Sequence, residues 1–265
     1  MNMIKDEFSV LFARIDDLFE RAERGEIVSS DFLSPRERHF VNGHLVSRGV
    51  ADRCLFYGGY KGAERCRAYI LPDYISSVRD YSELSDYLDE SNITSLRVRG
   101  SGYRKLSHRD YLGSVLGLGI ERDVLGDIVF REGTENEAIF FCDSVIADFI
   151  LNDLKKVAND SVRVDKIEIS DDFIPKREFL HISDTVSSPR VDCVVAALCS
   201  LSRERASATV ASGAVEVDFE CETRPDRAIV APSLVSVRGY GKFKVNSVSE
   251  PTRRGRLRLD ADKFI

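Results

Sequence analysis

The stretch from Ser188 to Lys244 limits the folds open to this chain more than any other, because it sets two short helices and two strands in one tight order. Ser188-Pro189-Arg190-Val191-Asp192 supplies an N-cap residue and a proline suited to a first helical turn. Val191, Val194, Val195 and Leu198 then recur at helical spacing, so one face of that helix is core. A second helix is predicted from Ser202, with Arg203 and Arg205 in its first turn, and it stops at Gly213. Val215, Val217 and Phe219 alternate as a strand, and Leu234 to Val237 supplies another. Arg238-Gly239-Tyr240-Gly241-Lys242-Phe243-Lys244 closes the unit, with basic residues beside small ones that let backbone approach closely. The free N–H groups and partial positive charge of a helix N-terminus favour an anion, and two arginines there strengthen that preference. Arg190, Ser202, Arg203, Arg205, Arg238, Lys242 and Lys244 are therefore the candidate phosphate contacts.

This order of elements resembles the S-four-type RNA-binding domain, named after a small-subunit ribosomal protein. The matching landmarks are Arg190 with Asp192, Leu198, Ser202-Arg203, Ala206, Gly213, Val215, Val217 and the Arg238, Gly239, Gly241 ending. The sequence departs from that pattern at Asp218, where Asn is usual, and at Ser233, where a Gly-Asp pair commonly leads into the last strand. Further motifs resemble the bacterial YlmH family. They are Phe56-Tyr57-Gly58-Gly59-Tyr60 with Ala63-Glu64-Arg65, and Ser107-His108-Arg109-Asp110-Tyr111-Leu112-Gly113 through Gly117-Leu118-Gly119-Ile120. Gly126-Asp127-Ile128 and Arg254-Gly255-Arg256-Leu257-Arg258-Leu259 belong to the same set. The resemblance implies a cytosolic RNA-binding protein on the large ribosomal subunit, with rRNA and tRNA as partners. It also implies a part in ribosome-associated quality control, where a stalled peptidyl-tRNA is held while the nascent chain is extended. A link to the cell-division region of Gram-positive bacteria attaches to the family as well.

With 265 residues, 43% of them hydrophobic, the chain can furnish more than one real core. No run of about eighteen apolar residues offers a membrane span. Met1 to Arg14 mixes Lys5, Asp6 and Glu7 into its apolar residues, unlike a signal peptide, so a cytoplasmic location is expected. Six cysteines form no C-x-x-C pair, which excludes zinc-ribbon and thioredoxin-like readings. Cys54 and Cys66 flank a predicted hairpin and are expected to stay reduced in the cytosol. A net charge of −6 argues against indiscriminate coating of nucleic acid, and its distribution matters more. Residues 176–265 carry 15 Lys/Arg against 12 Asp/Glu, a balance of +3, whereas residues 1–175 balance at −9. From Arg238 to Arg258 there are seven basic residues and one acid, Glu250. The alternation of basic and apolar residues beyond Gly255 predicts an edge strand with arginines outward, which adds Arg254 and Arg256 to the RNA-binding candidates.

The fold class is α/β in the α+β sense, in three parts. Residues 1–80 are expected to form a helical and hairpin domain: an amphipathic helix over 4–24, a second helix from Ser34-Pro35, and strands at 54–60 and 65–71. Residues 81–175 carry the pattern βαββαβ of a ferredoxin-like (RRM-like) domain. Its strands are predicted near 93–99, 127–131, 137–142 and 162–169, and its helices at 108–117 and 144–158. Phe140 and Phe141 lack a basic-Gly-aromatic motif around them and read as core. Asp171 to Ser187 reads as a polar connection. Residues 176–265 form the S-four-type αL RNA-binding domain with its C-terminal basic strand.

Several constellations imitate catalytic motifs. His108-Arg109-Asp110 matches a kinase catalytic loop for three residues, but Val115 falls where the metal-binding Asn belongs. Ser107 and Asp110 read instead as a capping box. Arg190-Val191-Asp192 resembles the Arg-Leu-Asp of pseudouridine synthases, yet it opens a helix and no catalytic domain follows. Gly117-x-Gly119 lacks a third glycine, and the four histidines show no metal-ligand spacing. The chain is accordingly read as a monomeric binding protein without catalytic residues, cofactor or metal. Two alternatives remain: an RNA-modifying enzyme acting through the middle domain, and an interaction protein of the division machinery.

Overall fold

Phe8, Ile15 and Phe19 are buried along one face of α1 (Ser9–Ala22), as their helical spacing predicts. The computed structural model describes residues 7–75, 77–88, 92–131, 133–134, 136–170, 172–251 and 255–265, so the first three residues of the helix expected over 4–24 lie outside the described residues. The second helix, α2 (Pro35–Arg48), begins at the proline with Ser34 as N-cap. Ser34 and Glu37 satisfy each other's orphan donors in a full capping box. Both helices pack on a small antiparallel sheet ordered β1 (Val28–Ser29), β3 (Arg67–Ile70), β2 (Cys54–Tyr57). Ile15, Phe19, Val41, Leu45, Ala68 and Ile70 form the shared core. Cys54 and Cys66 are free thiols, and burial pushes the Cys54 thiol up to about 12.

The chain divides into two compact units, residues 1–176 and 177–265. The domains expected over 1–80 and 81–175 both lie in the first unit. Phe32, Tyr60, Ala63 and Cys66 share a buried cluster with Ile93, Ile139 and Phe141. Gly59 makes this contact possible: with φ near +99°, any Cβ there would sit 2.2 Å from the Phe141 ring.

The rest of the first unit runs α3 (Tyr81–Ser85), β4 (Ile93–Gly100), α4 (His108–Leu116), β5 (Leu125–Phe130), β6 (Glu137–Asp143) and α5 (Ser144–Asp153). It closes with β7 (Lys156–Val157) and β8 (Asp160–Ile167). Spatial order is β5-β6-β4-β8-β7, every neighbouring pair antiparallel. One strand separates the two members of each βαβ unit, which is the split βαβ arrangement. Phe140 and Phe141 are both buried, on opposite faces of β6. Phe140 meets the helices with Leu96, Tyr111, Val115 and Ile150.

Helix α5 stops at Asp153, short of the expected 158. Ala158 takes a left-handed φ of 51° and Val157 pairs with Asp160, so a two-residue hairpin turn replaces the last helical turn.

The second unit is a six-stranded antiparallel sheet with two helices on one face. Its spatial order is β11 (Glu220–Cys221), β10 (Val215–Val217), β12 (Ser233–Val237), β13 (Gly241–Pro251), β14 (Leu257–Phe264), β9 (Phe179–Val186). The helices are α6 (Val191–Leu198) and α7 (Arg203–Ala211). Val191, Val194, Val195, Leu198, Ala206 and Val210 pack on Val215, Val235, Val237, Phe243, Val245 and Leu259.

Three expectations are corrected here. The polar connection over 171–187 contains β9, whose Ile182 and Val186 face the core while alternate residues face solvent. The C-terminal strand is consequently no edge, because β14 lies between β13 and β9. Phe219 also leaves the strand it was assigned to: Asp218 and Phe219 both take left-handed φ, 49° and 68°, and turn β10 into β11.

Candidate nucleic-acid interface

Helix α6 begins at Val191 with Arg190 as its N-cap, two residues later than Ser188 would have placed it. A neighbouring loop explains the shift. Val191 N–H donates to Arg227 O at 2.8 Å and Asp192 N–H to Pro225 O at 3.1 Å, while Pro189 O accepts from Ile229 N–H at 2.8 Å. These carbonyls satisfy first-turn donors that a serine cap would have taken. The loop is itself clamped by Glu222, 2% exposed, which accepts from Arg224 N–H at 2.8 Å and Arg227 Nη1 at 2.6 Å. Burial works to raise the Glu222 carboxyl, and the bonds from Arg227 and Arg224 outweigh it, leaving the group below its ordinary range.

Asp192 organises the arginines. It is 3% exposed and accepts from Arg190 Nε at 3.0 Å and Nη2 at 3.1 Å, a bidentate fork. Arg203 of α7 reaches the same carboxylate at 3.5 Å. Burial opposes ionisation of Asp192; the hydrogen bonds from Arg190 and Cys193 and the charges of Arg190 and Arg203 prevail, and its carboxyl lies below the usual range. Two guanidinium groups thus share one carboxylate, which holds Arg190 in place, and Asp226 lies near enough to act on Arg190 as well. Asp192 orients arginines and offers no exposed nucleophile.

Ser202 caps α7 by accepting from Arg205 N–H at 3.3 Å. Arg203 and Arg205 are exposed in the first turn, beside N–H groups that attract anions. At its other end α7 runs into Gly213, where a concavity of about 520 Å³ opens against the β12–β13 turn. Arg238 and Lys242 line it together with Glu216, Ser236 and Tyr240. The Lys242 ammonium lies 5.5 Å from the Phe219 ring and 5.2 Å from that of Phe264.

The candidate residues therefore fall into separate groups. Arg190, Ser202, Arg203 and Arg205 meet at the start of α7, and Arg238 and Lys242 stand at its end, about 15 Å further along at 1.5 Å per residue. Lys244 is exposed on β13 opposite Asp262. Asp262 and Asp260 also hold His181, at 3.1 and 3.4 Å, and the Asp262 hydrogen bond with the Asp260 charge raises the imidazole above its ordinary value. Arg256 donates through Nε to Thr185 Oγ1 at 2.9 Å and so braces β9. Arg254 lies outside the described residues.

The two departures from the S-four-type pattern are coupled to each other. Asp218 accepts from Leu234 N–H at 2.8 Å and from the Ser233 hydroxyl at 3.1 Å, so the pair pins the β10–β11 turn to the start of β12.

Two carboxylates of the first unit, Asp110 and Asp127, accept hydrogen bonds that order the chain around them. Ser107 and Asp110 form the expected capping box of α4. The hydrogen bonds from the Ser107 backbone and hydroxyl, with the charges of Arg104 and Arg109, hold the Asp110 carboxyl below its ordinary range. Asp127, 8% exposed, accepts from Tyr60 Oη at 2.7 Å, Glu64 N–H at 2.7 Å and Arg65 N–H at 3.0 Å. Among the described residues, no group of three or more His, Cys, Asp or Glu could hold a metal ion, and no helix is long and apolar enough to cross a membrane.

Comparison with known proteins gives three findings. A family model described as "Putative RNA-binding domain in YlmH" matches residues 90–171. The chain is 32% identical over 236 residues to the ribosome-associated protein quality control protein P2 of Bacillus subtilis, spanning 88% of this chain and 86% of that relative. A solved structure, the cell division protein ylmH from Streptococcus pneumoniae, aligns with 64% of this chain and 94% of its own at a TM-score of 0.49 and 20% identity.

Proposed function

Because the chain belongs to the YlmH family, we propose that it binds structured RNA of the ribosome, rRNA or tRNA on the large subunit, and serves ribosome-associated quality control. The second unit acts as an S-four-type domain. Its arginines neutralise phosphates, and the start of α7 fixes the orientation of the backbone, so the grip follows RNA shape more than base sequence. The observation that carries this reading is the Arg190–Asp192–Arg203 cluster beside exposed Arg205 at the capped N-terminus of α7. A buried carboxylate that fixes two arginines at a helix start builds a preorganised anion site from residues 190 to 205. The protein acts by holding RNA as a cytoplasmic monomer, without a covalent step.

Co-sedimentation of the full chain with purified large subunits, before and after ribonuclease treatment, tests the proposal. The protein is expected in the ribosomal pellet at low salt and in the supernatant after ribonuclease. Pelleting that survives complete RNA digestion would replace the RNA reading with a protein contact.

A further inference from the structure

The first unit carries a second group of arginines, placed by strand parity. On β4, Leu96 and Val98 turn toward the helices, so Arg97 and Arg99 project from the opposite face. That face is covered at one end by Phe32, Tyr60, Ala63 and Cys66. At the other end it is charged: Arg99 stands between Glu137 of β6 and Arg163 of β8, and Arg97 stands beside Asp165. Arg99, Arg163 and Arg97 all converge on Asp165, at 2.9, 3.1 and 3.5 Å. One carboxylate cannot neutralise three guanidinium groups, and among the described residues Glu137 pairs with Arg99 alone, at 4.0 Å. The Nε of Arg97 is buried and makes no hydrogen bond.

Beyond β4 the chain continues as Gly100-Ser101-Gly102-Tyr103-Arg104-Lys105. Residues 97–109 hold five Lys/Arg and no acid, in a chain whose net charge is −6. The loop has a fixed base. Buried Asp160 accepts from Ser101 N–H at 3.0 Å and from the Ser101 hydroxyl. A side chain at Gly100 would place Cβ 2.8 Å from an Asp160 oxygen, so the glycine admits this anchor. From that base Tyr103 projects with 94% of its surface exposed. A solvent-facing aromatic ring flanked by arginines and a lysine suits an unpaired base stacked on the ring, with adjacent phosphates on the cations.

We infer that this open half of the sheet, with the 101–105 loop, is a second RNA-binding surface that takes a single-stranded loop, its backbone on Arg97, Arg99 and Arg163 and one base on Tyr103. The inference rests on the RNA reading above and assigns its own contact to the segment matched by the family model.

The test uses the full chain with two RNA probes, a stem-loop with an unpaired loop and its fully paired counterpart, titrated at several salt concentrations. Tyr103→Ala should weaken stem-loop binding about five-fold or more while leaving the paired probe unaffected. Arg99→Gln/Arg163→Gln should lower the log–log salt slope for the stem-loop by about 1.4, the value for two single-strand phosphate contacts. Arg104→Gln/Lys105→Gln, confined to the surface loop, should act in the same direction and guards against a folding defect, which urea unfolding would report. Arg203→Glu/Arg205→Glu is carried in parallel. If that variant loses binding while the three first-unit variants match the parent, this surface is overturned and the proposed function stands. If all four match the parent, both fall. Equal loss of binding to polyglutamate and to the stem-loop would also overturn the inference, since the surface would then take any polyanion.

Discussion

Replacing Asp127 by Ala should destabilise the first unit by about 3–5 kcal/mol, the range for removing one partner of a buried charged network. The carboxylate accepts three hydrogen bonds, two of them from the backbone N–H groups of Glu64 and Arg65. Each hydrogen bond to a charged group contributes about 1.5–3 kcal/mol, and orphaned buried donors add their desolvation cost. Tyr60→Phe removes a single bond and should cost only about 1.5–3 kcal/mol. The loop at stake is also tied by Arg65, whose Nε donates to Leu125 O at 2.8 Å and whose Nη2 donates to Phe32 O and Arg122 O, each at 2.9 Å. Urea unfolding of both variants, followed by intrinsic fluorescence of the tyrosines, measures the two costs. A loss below about 1 kcal/mol for Asp127→Ala would refute the clamp. A folded Asp127→Ala protein that had lost an RNA-modifying activity of the parent would make this residue catalytic after all.

Two further outcomes follow from the second unit. Asp192 and Glu222 have folded-state pKa values below their ordinary 3.8 and 4.5, so they stabilise the fold above those values and the contribution disappears as pH falls through the lowered ones. Acid unfolding should therefore begin as pH drops below the ordinary range, and Asp192→Asn or Glu222→Gln should flatten the pH dependence measured by circular dichroism. Leu198→Ala, in a core contact 6% exposed, should cost about 2–5 kcal/mol without altering the salt slope of RNA binding. An altered slope in a folded Leu198→Ala protein would mean that this side chain shapes the interface itself.

How much was legible in the sequence depended on whether the deciding partner was local. The helix start at Ser34-Pro35, the Ser107 capping box, the core faces of α6 and β6, and the βαββαβ order are set by residues a few positions apart, and each stands as read. The start of α6 is set instead by carbonyls of Pro225 and Arg227, more than thirty positions downstream, which no local pattern announces. Strand β9 is illegible locally because its exposed side holds His181, Ser183 and Thr185, and its pairing with β14 is what makes it a strand. The hairpin at Ala158 has no local signal, because alanine seldom takes a left-handed φ. Among the candidate contacts, helix-terminal chemistry places Arg190, Arg203 and Arg205 at the starts of α6 and α7. It did not foretell that Arg203 shares Asp192 with Arg190, nor that Arg256 braces a neighbouring strand. Arg97 and Arg99 were hidden by an overall acidic first part, although the acid-free run from 97 to 109 was present as a local signal.

The central claim, that the capped start of α7 grips ribosomal RNA through phosphate charge, is tested most directly by the salt dependence of large-subunit rRNA binding by the full chain and by Arg203→Glu/Arg205→Glu. The parent should lose affinity steeply and linearly on a log–log plot as counterions are released. In the variant the slope should fall by about 1.8 for a duplex-like site, or about 1.4 for a single-stranded one, with weaker binding at every salt concentration. Arg203 shares the buried Asp192 carboxylate, so the double variant should lower the urea midpoint, whereas Arg205→Glu alone, at an exposed position, should stay within about 0.5 kcal/mol of the parent and carry about half of the change in slope. A folded variant with unchanged affinity and an unchanged slope would contradict the claim and take the RNA grip away from this end of the second unit.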